Sequence, residues 1–211
     1  MRKVYLLPNI VTTANLFCGF YSIIASIHLD FIAASWAVLA AAFFDMLDGR
    51  IARLARATSS FGIEYDSLSD LISFGLAPSI LMYQWGLYSF GRYGWLLAFF
   101  FLMCGALRLA RFNVLSDVLP KGYFQGVPIP TAAGVIVTFV IFNDEVQWPL
   151  EPYLPYISLT FIFLLGCLMI STIRFPSFKE ISWRSKATFG YFLVGVFSVV
   201  LIALRPQVSL F

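Results

Sequence analysis

The chain has 211 residues, of which 60% are hydrophobic, 18% aromatic and only 12% charged, with a formal net charge of +3. Its mean hydropathy is +0.85. A water-soluble globule this small cannot cover so much apolar surface, and neither a disordered chain nor a disulfide scaffold has this composition, so the solvent must be lipid.

Apolar stretches follow one another at 10–28, 31–56, 62–86, 93–113, 129–143, 153–173 and 188–205. Most approach the roughly 20 residues that a spanning helix needs. None has the short alternating strands of a membrane barrel. The expected fold is all-α: one polytopic integral membrane bundle of about seven transmembrane helices, a single domain over 1–211. The first stretch follows Met1-Arg2-Lys3 as a signal peptide would. A second apolar run follows at once and no small-residue cleavage site stands between them, so an uncleaved first span is expected. The 129–143 stretch is the shortest and is flanked by Gly and Pro.

Basic residues set the orientation. With the N-terminus inside, the inner loops and helix ends collect Arg2, Lys3, Arg50, Arg53, Arg56, Arg108, Arg111, Lys121, Arg174, Lys179, Arg184 and Lys186, leaving only Arg92 and Arg205 outside. Asp30, Asp144, Glu145 and Glu151 fall in the outer loops. Trp85, Tyr88, Tyr93, Trp95, Trp148 and Tyr153 suit an outer aromatic belt. Cys18, Cys104 and Cys167 lie in apolar runs and read as small core residues. His28 is the one histidine and sits at an outer helix end, which leaves nothing for a His-based metal site or a Ser-His-Asp triad.

Four carboxylates stand at the inner ends of the second and third stretches: Asp45, Asp48, Asp66 and Asp70. Charges at membrane depth cost a few kcal/mol each on insertion scales and need compensation. Asp45 and Asp48 are three apart and share a helix face, which Gly49, Ala52 and Arg53 continue. Gly62, Asp66 and Asp70 repeat every four residues on the next helix. Thr58, Ser59 and Ser60 are candidate N-caps in the link over 54–61. A short turn there would make the two helices antiparallel neighbours with their stripes face to face. Gly49, Ala52 and Gly62 would leave room for a backbone or a ligand. Four like charges so close require protonation or bound cations. All-oxygen Asp ligands suit Mg²⁺ or Mn²⁺, and a pair of such ions about 4 Å apart serves phosphoryl displacement. Arg53 is placed for a phosphate held by the same ions. The plainer alternative is a set of interfacial helix-end charges. Glu64 lies off the Asp stripe and faces polar solvent.

The stretch DMLDGRIARLARATSSFGIEYDSLSD reads D-x2-D-G-x2-A-R-x8-G-x3-D-x3-D. It resembles the signature of the CDP-alcohol phosphatidyltransferase (class I) family of integral membrane enzymes. The resemblance implies a six-helix core with a C-terminal extension, with the catalytic helices at roughly 31–86. It implies that an alcohol attacks the diphosphate of a CDP-linked lipid and that CMP leaves. Asp45, Asp48, Asp66 and Asp70 then correspond to ligands of two divalent cations, with Asp70 also the general base. Gly49, Arg53 and Ser59 correspond to contacts with the CDP-lipid. The segment Pro8-Asn9-Ile10-Val11-Thr12 is similar to the family's nucleotide-side segment and adds Asn9 and Thr12, although both equally suit a helix cap near the interface.

Three further segments, LPNIVTTANLFCGF, RLARFN and FQGVPIPTAAG, are similar to the phosphatidylserine synthase branch of that family. The acceptor implied is L-serine and the lipid donor CDP-diacylglycerol. Serine brings a carboxylate and an ammonium. Arg108 and Arg111, three apart, each suit the carboxylate. Asn113 suits the ammonium, and the resemblance adds Phe112 between them. Both arginines also satisfy the positive-inside rule or a lipid headgroup without serine. Two alternatives stand: the same chemistry with glycerol 3-phosphate or inositol phosphate as acceptor, or a divalent-cation transporter. Transporters often carry an internal repeat, and none is seen here. A homodimer in a prokaryotic cytoplasmic membrane, with the N-terminus and site facing the cytoplasm and no nucleic-acid partner, completes the expectation.

Overall fold

The computed structural model describes residues 6–54, 59–115, 123–146, 152–171 and 174–176. The expected span at 188–205 lies outside them, as do Arg184 and Lys186. Helix α1 (Leu6–Ile27) and helix α2 (Phe31–Leu54) form an antiparallel pair. At about 1.5 Å per residue each exceeds 30 Å, enough to cross a bilayer core. The turn between them is tight. Leu29 adopts φ 62°, Asp30 N–H donates to Ala25 O at 2.9 Å, and Asp30 Oδ1 caps α2 by accepting from Ala33 N–H at 3.0 Å.

The third apolar stretch is not one regular helix. Helix α3 (Ser60–Asp70) runs into a wide π turn (Leu71–Leu76), then helix α4 (Ala77–Met82), a second π turn (Tyr83–Leu87) and a short 3₁₀ turn (Tyr88–Phe90). Pro78 accounts for the first widening. It has no N–H to offer Phe74 O, and its ring crowds that carbonyl. The bond from Ala77 N–H accordingly reaches back five residues to Ile72 O.

Helix α5 (Arg92–Leu115) runs back toward the end of the bundle that holds Asp66, helix α6 (Ile129–Val146) crosses the other way and helix α7 (Leu154–Ile170) comes back. Among the described residues four helices are long and apolar enough to cross a membrane: Pro8–Ile27, Phe31–Ile51, Arg92–Val114 and Ile129–Val146. Leu154–Ile170 is apolar but shorter. One departure from all-α is small. Strand β1 (Tyr123–Gln125) pairs antiparallel with β2 (Arg174–Pro176), Phe124 opposite Phe175. Gly126, at φ 73°, then turns the chain hard against the Met169 carbonyl, where a side chain would not fit. Val127 N–H donates to Leu168 O at 3.2 Å, which ties the entry of α6 to the end of α7.

The core is apolar and central, with Phe74, Leu81, Met82, Phe101, Ile129, Ile136 and Met169 fully buried. Phe17, Phe20, Phe43, Phe99 and Phe163 point outward, as a lipid-facing surface requires. Helix α1 is the common brace, packing extensively on α2 and also on α3, the first π turn and α4. The seam with the third segment is polar: Ser69 Oγ donates to Thr12 O at 3.2 Å and Ser73 Oγ to Asn15 O at 3.0 Å. Gly19 makes this approach possible. A Cβ there would meet Ser73 Oγ and stand 2.7 Å from Ser73 Cα, which is backbone and cannot swing away. Gly19→Ala is expected to destabilise the protein by ~1–3 kcal/mol, seen as an earlier unfolding midpoint in detergent.

Candidate active site

The Leu6 end of α1, the Leu54 end of α2, helix α3 and the Leu115 end of α5 meet around the acidic residues. Asp45 and Asp48 come from the last turns of α2, and Asp66 and Asp70 from α3. Asp45, Asp48 and Asp66 each offer a carboxylate oxygen, and these oxygens all lie within 4.8 Å of one another. Asp48 and Asp70 are buried, while Asp45 and Asp66 are half-buried. Asp70 stands one turn beyond Asp66, beside Asp45 and close enough to it for a hydrogen bond. It also accepts from Asn15 Nδ2 at 3.2 Å.

The expected face-to-face packing of the two acidic stripes is not what brings them together. Helices α2 and α3 make little direct backbone contact, and α1 braces both. The carboxylates bridge the remaining distance by side-chain reach. Gly49 is exposed, and among the described residues a Cβ there would meet nothing within 4 Å. The glycine borders open space beside Asp48 instead of a helix contact, which is where a ligand has room. Gly62 differs, with Ser59 Oγ and Asn9 Oδ1 lying 3.2 and 3.8 Å from its Cβ position.

Thr12 and Asn9 both lie within α1 and neither caps it. Thr12 Oγ1 donates to Asp48 Oδ2 at 3.0 Å and so aims that carboxylate. Ser59 is the N-cap of α3, its Oγ accepting from Gly62 N–H at 3.0 Å. Its hydroxyl is thereby held at the mouth of the site beside Asn9. Arg53 belongs to the last turn of α2, and its side chain lies outside the described residues.

The four residues tied to serine follow one another at the Leu115 end of α5. Arg108 is half-buried, and its Nε is buried with no hydrogen-bond partner among the described residues. It lies within electrostatic reach of Asp70, and its Cζ sits 5.9 Å from the ring centroid of Phe112. Asn113 Nδ2 donates to Ser67 Oγ at 3.0 Å, next to Asp66. Arg111 and Phe112 are exposed at the same end. The α5 terminus therefore adjoins the carboxylates. His28 and Glu64 are exposed and away from them.

Residues that the motif did not announce also build the site. Asn15, Ser69 and Ser73 were legible in hindsight by spacing alone: Asn15 follows Thr12 by three, and the two serines flank Asp70 four apart.

The donor set fits divalent cations. It is all carboxylate oxygen, it is compact, and Asp66 Oδ1 is buried with no hydrogen-bond partner among the described residues. A buried carboxylate oxygen left bare is costly unless a cation or donor meets it.

The family model for CDP-alcohol phosphatidyltransferase matches residues 5–173. A CDP-diacylglycerol–serine O-phosphatidyltransferase of Helicobacter pylori is 42% identical over 210 residues, covering 100% of this chain and 86% of the relative. One of Bacillus subtilis is 35% identical over 174 residues, covering 82% of this chain and 92% of the relative. An archaetidylserine synthase of Methanothermobacter thermautotrophicus is 38% identical over 175 residues, covering 81% and 69%. The match spans the helices that carry the four aspartates and the α5 terminus beside them, and the chain belongs to the CDP-alcohol phosphatidyltransferase family.

Proposed function

We propose that this membrane protein transfers the phosphatidyl group of CDP-diacylglycerol to the hydroxyl of L-serine, giving phosphatidylserine and CMP. The observation that carries this reading is the meeting of the Asp45, Asp48 and Asp66 carboxylates with Asp70 and the Arg108–Asn113 end of α5. A relative named for serine as acceptor is similar over the whole chain that holds these residues.

Asp45, Asp48 and Asp66, with Asp70 adjoining, would hold two divalent cations, Mg²⁺ or Mn²⁺. Such ions neutralise the charge that builds on a diphosphate during displacement. The open space at Gly49 would admit the CDP-lipid diphosphate, with Arg53, Ser59, Asn9 and Thr12 along its path. Asp70, the more buried of the two aspartates on α3, would take the proton from the serine hydroxyl as that oxygen attacks the lipid-side phosphorus. The P–O bond to CMP breaks in the same displacement, and no side chain is needed as an intermediate nucleophile. Arg108 or Arg111 would clamp the serine carboxylate, with Phe112 supporting the guanidinium and Asn113 accepting from the ammonium. Helix ends rich in Lys and Arg support placing this face, and the N-terminus, in the cytoplasm. Residues 1–211 would work as one domain, and the family resemblance further implies a homodimer.

A panel of acceptors tests the assignment. Purified protein in detergent, given CDP-diacylglycerol and Mn²⁺ or Mg²⁺, is expected to release CMP with L-serine and not with glycerol 3-phosphate or inositol phosphate. Release with another alcohol alone would keep the acidic site and overturn the reading of Arg108 to Asn113. Folded protein that releases no CMP with any acceptor would overturn the transferase reading itself.

A further inference from the structure

We propose that Asn15 is a positioning residue for Asp70, fixing the direction in which the Asp70 carboxylate meets the acceptor hydroxyl. The proposal rests on the reading of Asp70 as the general base. Asn15 is fully buried where α1 crosses the end of α3. Its Nδ2 donates to Asp70 Oδ1 at 3.2 Å. Its own Oδ1 is buried and finds no partner among the described residues. A carboxamide serving only to fill the helix contact would carry a desolvation cost that a leucine of similar size avoids. The one described side-chain hydrogen bond that Asn15 makes is the one to Asp70.

The donor is held still on both sides. Ser73 Oγ bonds the Asn15 carbonyl at 3.0 Å, Ser69 Oγ bonds the Thr12 carbonyl at 3.2 Å, and the two serines bracket Asp70. The close contact of Gly19 with Ser73 prevents α1 from sliding along the third segment. A carboxylate needs such a donor, because its terminal torsion is broad and sets no direction by itself. Asp45 lies within hydrogen-bond reach of the Asp70 carboxyl and competes for it. With Oδ1 engaged by Asn15, the remaining oxygen keeps one heading. Positioning of this kind acts on the rate of the chemical step and leaves substrate binding largely unchanged.

The test is Asn15→Leu, alone and on an Asp70→Asn background, in the CMP-release assay with CDP-diacylglycerol and L-serine. Alone it is expected to lower kcat about 10- to 100-fold, the size of one lost hydrogen bond to a charged group, with KM for both substrates within about twofold. On the Asp70→Asn background it is expected to slow the residual rate by less than about twofold, since the group it aims is already gone. Asn15→Ala cannot overfill the helix contact and is expected to show the same split if the leucine variant folds poorly. Unchanged kcat in a folded variant would overturn the proposal. So would an equal loss on both backgrounds, which assigns Asn15 to the fold. Full activity of Asp70→Asn by itself would overturn the base assignment as well, so the two failures are told apart within one set of proteins.

Discussion

Asp70→Asn is expected to lower CMP release by about 10³-fold, within the range that removing a positioned general base produces. Asparagine preserves shape while removing the carboxylate's negative charge and its ability to accept a proton. Because CDP-diacylglycerol has its other contacts elsewhere on the site, its KM is expected to change by less than about threefold, and a substrate-competition binding measurement should agree. Asp70 is buried at the end of α3 within hydrogen-bond reach of Asn15 and Asp45. Its replacement therefore perturbs the chemistry more than the fold, and thermal unfolding of the variant should stay close to the parent's. Loss of both turnover and folding would instead make Asp70 structural.

The second large effect concerns the cations. Stripping divalent ions with EDTA is expected to reduce CMP release at least 10²-fold, and adding back Mg²⁺ or Mn²⁺ should restore it. The physical reason is the crowding of Asp45, Asp48 and Asp66. Two like charges about 4 Å apart repel by about 4 kcal/mol at an effective dielectric of 20. Three ionised carboxylates within 4.8 Å of one another are therefore a poor arrangement without counter-charge and a good cation site with it. Asp66→Asn should raise the Mg²⁺ or Mn²⁺ concentration needed for half-maximal activity, and titration of each ion against turnover measures it. Activity indifferent to chelation would remove the cation role.

Much of this was legible in the residues. The long apolar runs set the helices, because hydrophobic length is dictated by bilayer thickness and needs no tertiary information. The i, i+3 and i, i+4 spacings of Asp45, Asp48, Asp66 and Asp70 placed them on helix faces before any contact was known. Ser59 as a cap followed from its chemistry. What periodicity could not supply was the relation between helices. The motif places α2 and α3 next to each other in sequence, and direct packing was the simplest consequence. The bracing by α1 overrode it. Asn15 shares a helix face with Thr12, but its link to Asp70 could not be read from the sequence because that partner is 55 residues away. The wide turns around Pro78 were hidden for a related reason. A proline announces a lost hydrogen bond, but the packing around it decides whether the helix kinks, breaks or widens. The pairing of β1 with β2 joins segments some 50 residues apart through backbone groups, and side-chain pattern carries no trace of it.

The route of the chain through the site separates two tasks. All four aspartates, and the α1 residues that bond two of them, lie within residues 12–70, whereas the groups proposed to hold the carboxylate and ammonium of serine come from residues 108–113. During synthesis the acidic half can insert and assemble before the acceptor half has left the ribosome. In evolution the same division gives the scaffold two independently adjustable parts: drift in the α5 terminus can retune the incoming alcohol while the machinery that activates the lipid diphosphate is inherited unaltered.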